Sequence, residues 1–329
     1  MDNHNLPIVL ITHHLPREWI IKLQGRCYLY AGPADATEWD PGLQELLPQA
    51  QGILTLLTIP VNEYILQQAP LLRVVSNMAV GVDNIDVHAC TKRNIPVGNT
   101  PGVLTESTAD LTMALLLSTA RNLPQASLDA REGRWKTWSP AGWLGVELNG
   151  ALLGIVGMGK IGRAVAKRAV SFGMQIQYFD PEDRPDVDAR KVSLDQLLQT
   201  SDFVSLHAPL TPETRCMIDR AALSRMKSTA ILVNAARGAL VDTVALVDAL
   251  ENRKIAAAAL DVTDPEPLPQ DHPLYRLPNC FVVPHIGSAT QKTRRKMAEL
   301  ACDNLLAGLE DRPLPHCVNP EVKLMKKQE

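Results

Sequence analysis

Short apolar runs alternate with amphipathic stretches along the whole chain. Ile8-Val-Leu-Ile-Thr12 reads as a buried strand and is followed by a helical stretch around Glu18–Leu23. Strand-like runs return at Gly52–Leu57, Arg73–Ser76 and Pro96–Gly98, with helical stretches between them. Such alternation implies a mostly parallel sheet covered on both faces, so the region up to about residue 100 is an α/β unit of its own. Thr100-Pro-Gly102 is turn chemistry. Thr105, Glu106 and Ser107 then suit a helix start, and Ala109–Arg121 runs on as strong helix formers, a natural domain connector. A second series begins at Ala151, with strand candidates at Leu152–Val156, Ile176–Phe179, Phe203–Leu206, Ala230–Val233, Ala256–Leu260 and Cys280–Val283. A helical stretch from Thr290 to Leu309 leads to a polar tail.

Composition narrows the class. A chain of 329 residues is long for one core and suits two domains. A formal charge of -3 without any basic run, and only 4% aromatic residues, argue against nucleic-acid binding. The N-terminal apolar run is too short for a secretion signal, and no stretch approaches the roughly 20 apolar residues of a membrane helix. The six cysteines are scattered without a CxxC pair and read as reduced thiols, so a cytoplasmic protein is expected. His13-His14 lacks a third ligand at metal spacing, and no metal site is expected.

Gly157-Met158-Gly159-Lys160-Ile161-Gly162 is GxGxxG between a strand and the helix expected over Arg163–Phe172. The first glycine permits a tight turn, the second lets backbone approach a pyrophosphate, and the third lets helix and strand pack closely. Asp180 ends the next strand, with 17 residues between it and Gly162, where a carboxylate accepts from ribose hydroxyls and repels a 2′-phosphate. Three further candidates follow strand ends: Arg237 within Asn234–Gly238, Glu266 after Asp261, and His285. Strand C-terminal ends are the edge where open α/β sheets bind ligands.

In order and spacing these motifs, with Pro284–Ala289, resemble the D-isomer-specific 2-hydroxyacid dehydrogenases over essentially the whole chain. Val80–Asp86, Asn99–Thr105 and Trp138–Gly145 look most like its glyoxylate and hydroxypyruvate reductases. The resemblance implies two Rossmann/flavodoxin-like, doubly wound parallel-sheet domains: a substrate domain from residues 1–101 plus 287–329, and a dinucleotide domain, 102–286, inserted into it. It also implies a homodimer. The apolar Ala109–Leu117 helix and the loop carrying Trp135, Trp138 and Trp143 point the same way, as apolar surface beyond the needs of one domain.

Site roles carry over by position. His285 would protonate the carbonyl oxygen, Glu266 would pair with it, and Arg237 would bind the carboxylate and polarise the carbonyl. Backbone N–H groups near Val80 and Gly81 would hold the carboxylate's other side, with Leu57 and Trp138 also on the substrate. Thr105, Pro181, His207, Ala208, Pro209, Ala235, Ala236, Asp261 and Gly287 would join the glycine motif on the cofactor, with Asp261 at the nicotinamide carboxamide. NAD(H) is expected to be preferred, with NADP(H) open because Arg184 lies four residues beyond Asp180.

Alternatives stay open. Relatives of this fold act as NAD(H)-sensing dimeric corepressors, and others oxidise 2-hydroxy acids such as 3-phosphoglycerate or reduce 2-ketogluconate. A short-chain dehydrogenase is excluded, because no Tyr-x-x-x-Lys occurs.

Overall fold

The computed structural model describes residues 6–322 and divides the chain into two units. Residues 1–104 with 290–329 form the first unit, and Thr105–Ala289 form the second, so the crossings lie a few residues beyond those read from the sequence.

In the first unit, β1 (Ile8–Ile11), β2 (Tyr28–Ala31), β3 (Gly52–Thr55), β4 (Val74–Asn77) and β5 (Val97–Gly98) form a parallel sheet in the order β2-β1-β3-β4-β5. Helices α1 (Pro41–Leu46), α2 (Glu63–Gln68) and α3 (Val87–Lys92) lie between the strands in sequence. Each starts at a side-chain cap, Asp40, Asn62 or Asp86, which satisfies a free backbone N–H. The helix expected at Glu18–Leu23 is instead two short 3₁₀ turns, Arg17–Trp19 and Ile21–Leu23. Of those turn residues only Leu23 is buried, too little apolar surface to hold a longer helix.

The second unit opens with α4 (Thr105–Ala120) and α5 (Leu123–Arg131). Its seven-stranded parallel sheet uses β6 (Leu152–Val156), β7 (Gln175–Phe179), β8 (Arg190–Lys191), β9 (Phe203–Leu206), β10 (Ile231–Asn234), β11 (Ala257–Leu260) and β12 (Cys280–Val282). Their order is β12-β11-β10-β9-β6-β7-β8, which reverses direction at the β6/β9 boundary. That boundary is the switch point where doubly wound sheets take ligands. Helices α6 (Lys160–Ser171), α7 (Leu194–Thr200), α8 (Arg220–Arg225) and α9 (Thr243–Glu251) connect the strands.

The chain then returns to the first unit as α10 (Gln291–Leu309), capped by Thr290. Met297, Ala301, Cys302 and Leu305 pack on Val9, Ile11, Leu54 and Val74 of that unit's sheet. Leu305 is fully buried, so truncating it to alanine would cost about 2–5 kcal/mol. Beyond α10, Asn319 accepts from Val97 N and donates to Ile95 O, pinning the C-terminal segment along β5.

One expectation about surface is corrected. The apolar residues of α4 do not lie outside: Ala109, Met113, Leu115 and Leu116 are buried in the second unit, where α4 packs on α6, β10 and β11. Exposed apolar surface comes from Leu123 and Leu128 of α5 and from the following loop, where Trp138 is 79% exposed.

Candidate active site

The second unit brings Arg237, Glu266 and His285 into one cluster. Each follows its own strand: Arg237 lies just past β10, Glu266 in the loop after β11, and His285 past β12. Glu266 Oε1 stands 2.5 Å from His285 Nδ1, and its Oε2 accepts from Thr263 N at 3.2 Å. A carboxylate only accepts, so Nδ1 carries the proton of that bond and Nε2 is left for a substrate. Burial works to raise the Glu266 pKa, but the His285 hydrogen bond and charge, Thr263 N–H and the Arg237 charge outweigh it. The carboxyl is held below the usual carboxylate range and is ionised at neutral pH.

Local backbone aims these groups. Asn234, buried at the end of β10, donates from its side chain to Arg237 O and accepts from Ala236 N, closing the turn that presents Arg237. Gly238 sits against the Glu266 loop: a Cβ there would lie 2.0 Å from the backbone of Thr263. His285 has φ of 51°, a left-handed conformation that costs a non-glycine residue about 1 kcal/mol or more. Asp261 holds it there. The Asp261 carbonyl accepts from His285 N, while its carboxylate accepts from Ile286 N at 2.6 Å and Gly287 N at 2.8 Å. Burial pushes the Asp261 carboxyl up, with those amides opposing. The family resemblance implies a cofactor role for Asp261 and gives no sign of this clamp on the histidine turn.

At the β6/β9 boundary the glycine motif fits a pyrophosphate. Gly157 has φ of 92°, and a Cβ on it would strike Ala208 N and His207 C. A Cβ on Gly162 would meet Gly157 O, whereas one on Gly159 would meet open space. Gly159 also caps α6 with no side chain over the helix start, which leaves the positive helix end accessible. Met158 is buried, while Lys160 and Ile161 begin the helix. Asp180 follows β7 and is buried. Its carboxylate accepts from Met158 N at 2.8 Å and Glu182 N at 2.9 Å, with Arg184 at 3.5 Å. His207 pairs with Ser205 Oγ through Nε2, and its buried Nδ1 has no partner among the described residues. Burial lowers its pKa to about 4, so the ring is neutral.

The other expected site residues divide by unit. Pro181, Ala208, Pro209, Ala235 and Ala236 follow their strands' C-terminal ends in the second unit, where Thr105 begins α4 and Gly287 lies against Asp261. Leu57, Val80 and Gly81 follow β3 and β4 in the first unit. His13 is buried and bonded to Ala36 O, Thr12 and Thr58 through side chains, and no metal-binding cluster occurs among the described residues. No helix of the described residues is long and apolar enough to cross a membrane.

Residues 113–287 match the family described as D-isomer specific 2-hydroxyacid dehydrogenase, NAD binding domain. A glyoxylate reductase of Korarchaeum cryptofilum is 46% identical over 96% of this chain and 97% of that protein. The chain belongs to the D-isomer-specific 2-hydroxyacid dehydrogenase family. It is an oxidoreductase with a nicotinamide-dinucleotide domain. The human glyoxylate reductase/hydroxypyruvate reductase is 40% identical to this dehydrogenase over 93% of the chain and 96% of its own length. Among solved structures, the NADPH-dependent glyoxylate/hydroxypyruvate reductase of Sinorhizobium meliloti, in complex with NADP and malonate, superposes with a TM-score of 0.86. It is 31% identical, covering 98% of this chain and 99% of that one.

Proposed function

We propose that this dehydrogenase reduces small 2-keto acids, glyoxylate and hydroxypyruvate, to the 2-hydroxy acids, with His285 as the general acid. The observation that carries the reading is the Glu266–His285 pair beside Arg237, each at a strand C-terminal end. Relatives named for reduction of these two acids support the substrate class. A nicotinamide dinucleotide held by the glycine motif would supply the hydride that reduces the carbonyl. His285 Nε2 gives its proton to the carbonyl oxygen, and Glu266 stabilises the imidazolium before that transfer. Arg237 binds the carboxylate and polarises the carbonyl, a two-point task suited to a planar guanidinium. Asp180, Gly157–Gly162 and His207–Pro209 hold the dinucleotide, with NADH preferred, and Asp261 faces the carboxamide end. The exposed Leu123, Leu128, Trp135, Trp138 and Trp143 are covered by a second copy of the chain in a homodimer, where Trp138 shapes the substrate pocket.

Steady-state assays test this. Glyoxylate and hydroxypyruvate should consume NADH with kcat/KM well above that for 2-ketogluconate, and 3-phosphoglycerate should not be oxidised. Tight NADH binding without turnover of any keto acid would favour the corepressor alternative. Sedimentation at micromolar concentration should give twice the chain mass of 36.0 kDa, and a monomer there removes the dimer.

A further inference from the structure

The first unit has a switch point of its own. Its strand order β2-β1-β3-β4-β5 reverses direction between β1 and β3, and open parallel sheets take ligands in the crevice outside such a boundary. One buried side chain bridges the loops that follow β1, β2 and β3. His13 lies just past β1 and is 7% exposed. Its Nε2 stands 3.0 Å from Ala36 O, in the loop after β2, and 3.2 Å from Thr58 Oγ1, in the loop after β3. Its Nδ1 stands 3.0 Å from Thr12 Oγ1. A carbonyl only accepts, so Nε2 carries a proton, shared between Ala36 O and the Thr58 hydroxyl oxygen. Burial lowers the pKa of the ring and keeps it neutral at neutral pH, so Nδ1 accepts from Thr12.

The loop after β3 is anchored at its two ends by other groups. Asn84 Nδ2 donates to Leu56 O at 3.0 Å and to Ile59 O at 3.1 Å. Thr55 Oγ1 also donates to Ile59 O, and Trp39 Nε1 donates to Pro60 O at 2.7 Å. Between those anchors Leu57 and Thr58 form the crest, which His13 reaches through the Thr58 hydroxyl. Thr58 is exposed and Leu57 half-buried, so the crest is the part of this loop open to a ligand.

We infer that His13 is a positioning residue of this dehydrogenase, a brace that acts through Thr58 to hold the Leu57–Thr58 crest in place for the keto acid at the first unit's switch point. This inference rests on the 2-keto acid reading. His13 does not touch the substrate; its ring keeps three loops at one spacing. Nε2 makes two of its three contacts, so glutamine, whose amide nitrogen reaches the same place, can stand in where alanine cannot. With the brace lost, the crest is held only from Leu56, Ile59 and Pro60. It must then be ordered when a substrate binds, a cost that falls on affinity.

The test uses His13→Ala, His13→Gln, Thr58→Val and the double variant His13→Ala with Thr58→Val, all in the full chain. The exposed His14 supplies the control, as His14→Ala should match wild type. With NADH, His13→Ala and Thr58→Val should each raise KM for glyoxylate about three- to tenfold, the worth of one hydrogen bond. The loss should fall on KM more than on kcat, and His13→Gln should recover part of it. The double variant should be no worse than His13→Ala, because both changes remove the same contact. Oxamate, the amide analogue of a 2-keto acid, titrated into the NADH-loaded protein should weaken by the same factors, with NADH affinity unchanged. Unchanged KM and oxamate affinity in Thr58→Val overturn the brace, as do losses that add in the double variant or fall equally on NADH. Should His13→Ala fail to fold, Thr58→Val at its exposed position decides. A wild type that binds oxamate yet reduces no keto acid would sink the reductase reading, and the oxamate factors would then decide the brace alone.

Discussion

Glu266 Oε1 and His285 Nδ1 stand 2.5 Å apart, although 19 residues and a strand separate them in sequence. The contact predicts which charge the reaction needs. A carboxyl held below its ordinary range stays ionised at neutral pH and below, so its negative charge is present beside the imidazole. That charge favours imidazolium, the form that donates the proton in keto-acid reduction. Glu266→Gln keeps the shape and removes the charge, so kcat for reduction at neutral pH should fall by about tenfold or more while NADH affinity holds. An unchanged kcat in Glu266→Gln would withdraw the pairing.

Gly238→Ala places a methyl group where the Thr263 backbone lies 2.0 Å away. The loop to Glu266 must retreat from Arg237. A displacement of about 1 Å at a reacting group costs about 10²-fold in rate, so kcat should drop by that order while NADH affinity holds. Single-turnover rates and NADH fluorescence titration separate the two. Loss of cofactor binding in step with rate would contradict this account.

The Asp180 carboxylate predicts a coenzyme preference. Its carboxylate is buried beside the glycine turn and repels a 2′-phosphate, so kcat/KM should favour NADH over NADPH by about 10–100-fold, or roughly 1.4–2.7 kcal/mol. Asp180→Asn keeps an acceptor for Met158 N, removes the charge and frees Arg184, and the ratio should narrow. Equal kcat/KM for the two coenzymes in the wild type would refute the assignment.

His207 predicts acid sensitivity. Its pKa lies near 4 in the folded chain against an ordinary 6.5. Between these values the unfolded chain binds the proton and the folded chain does not. Stability therefore rises with pH across this window and is lost as pH falls from about 6.5 to 4, by at most roughly 3 kcal/mol. Denaturant titrations at pH 6.5 and 4.5 should show a smaller acid loss for His207→Asn than for wild type. Equal losses would mean that the ring is not the sensitive group.

Much of the fold could be read from the chain because parallel strands buried on both faces appear as bare apolar runs, as in Ile231–Asn234 and Phe203–Leu206. Edges escaped that signal. Tyr28–Ala31 is largely exposed and Arg190–Lys191 is wholly polar, so neither carries the signature of a strand buried on both faces. Helix α5 escaped as well: Pro124 lies in its first turn and none of its residues is buried. In the site, Arg237, Glu266 and His285 stood out as chemically able groups after strands. Asn234 and the Asp261 clamp did not, because they act on neighbouring backbone and any such contact depends on folded geometry.

The discontinuity of the first unit has a consequence for synthesis. Thr105–Ala289 is continuous and has its whole core once Ala289 emerges, whereas the strands before it wait for α10 to cover Val9, Ile11, Leu54 and Val74. The earliest-made strands are thus the last to be shielded from water, and the nascent chain carries a sticky, half-covered sheet through most of its elongation. Chains arrested at Ala289 should keep a protease-resistant second unit and a digestible N-terminal segment. Chains extended past Leu309 should resist at both, and resistance of the first hundred residues in the shorter chain would reverse this order.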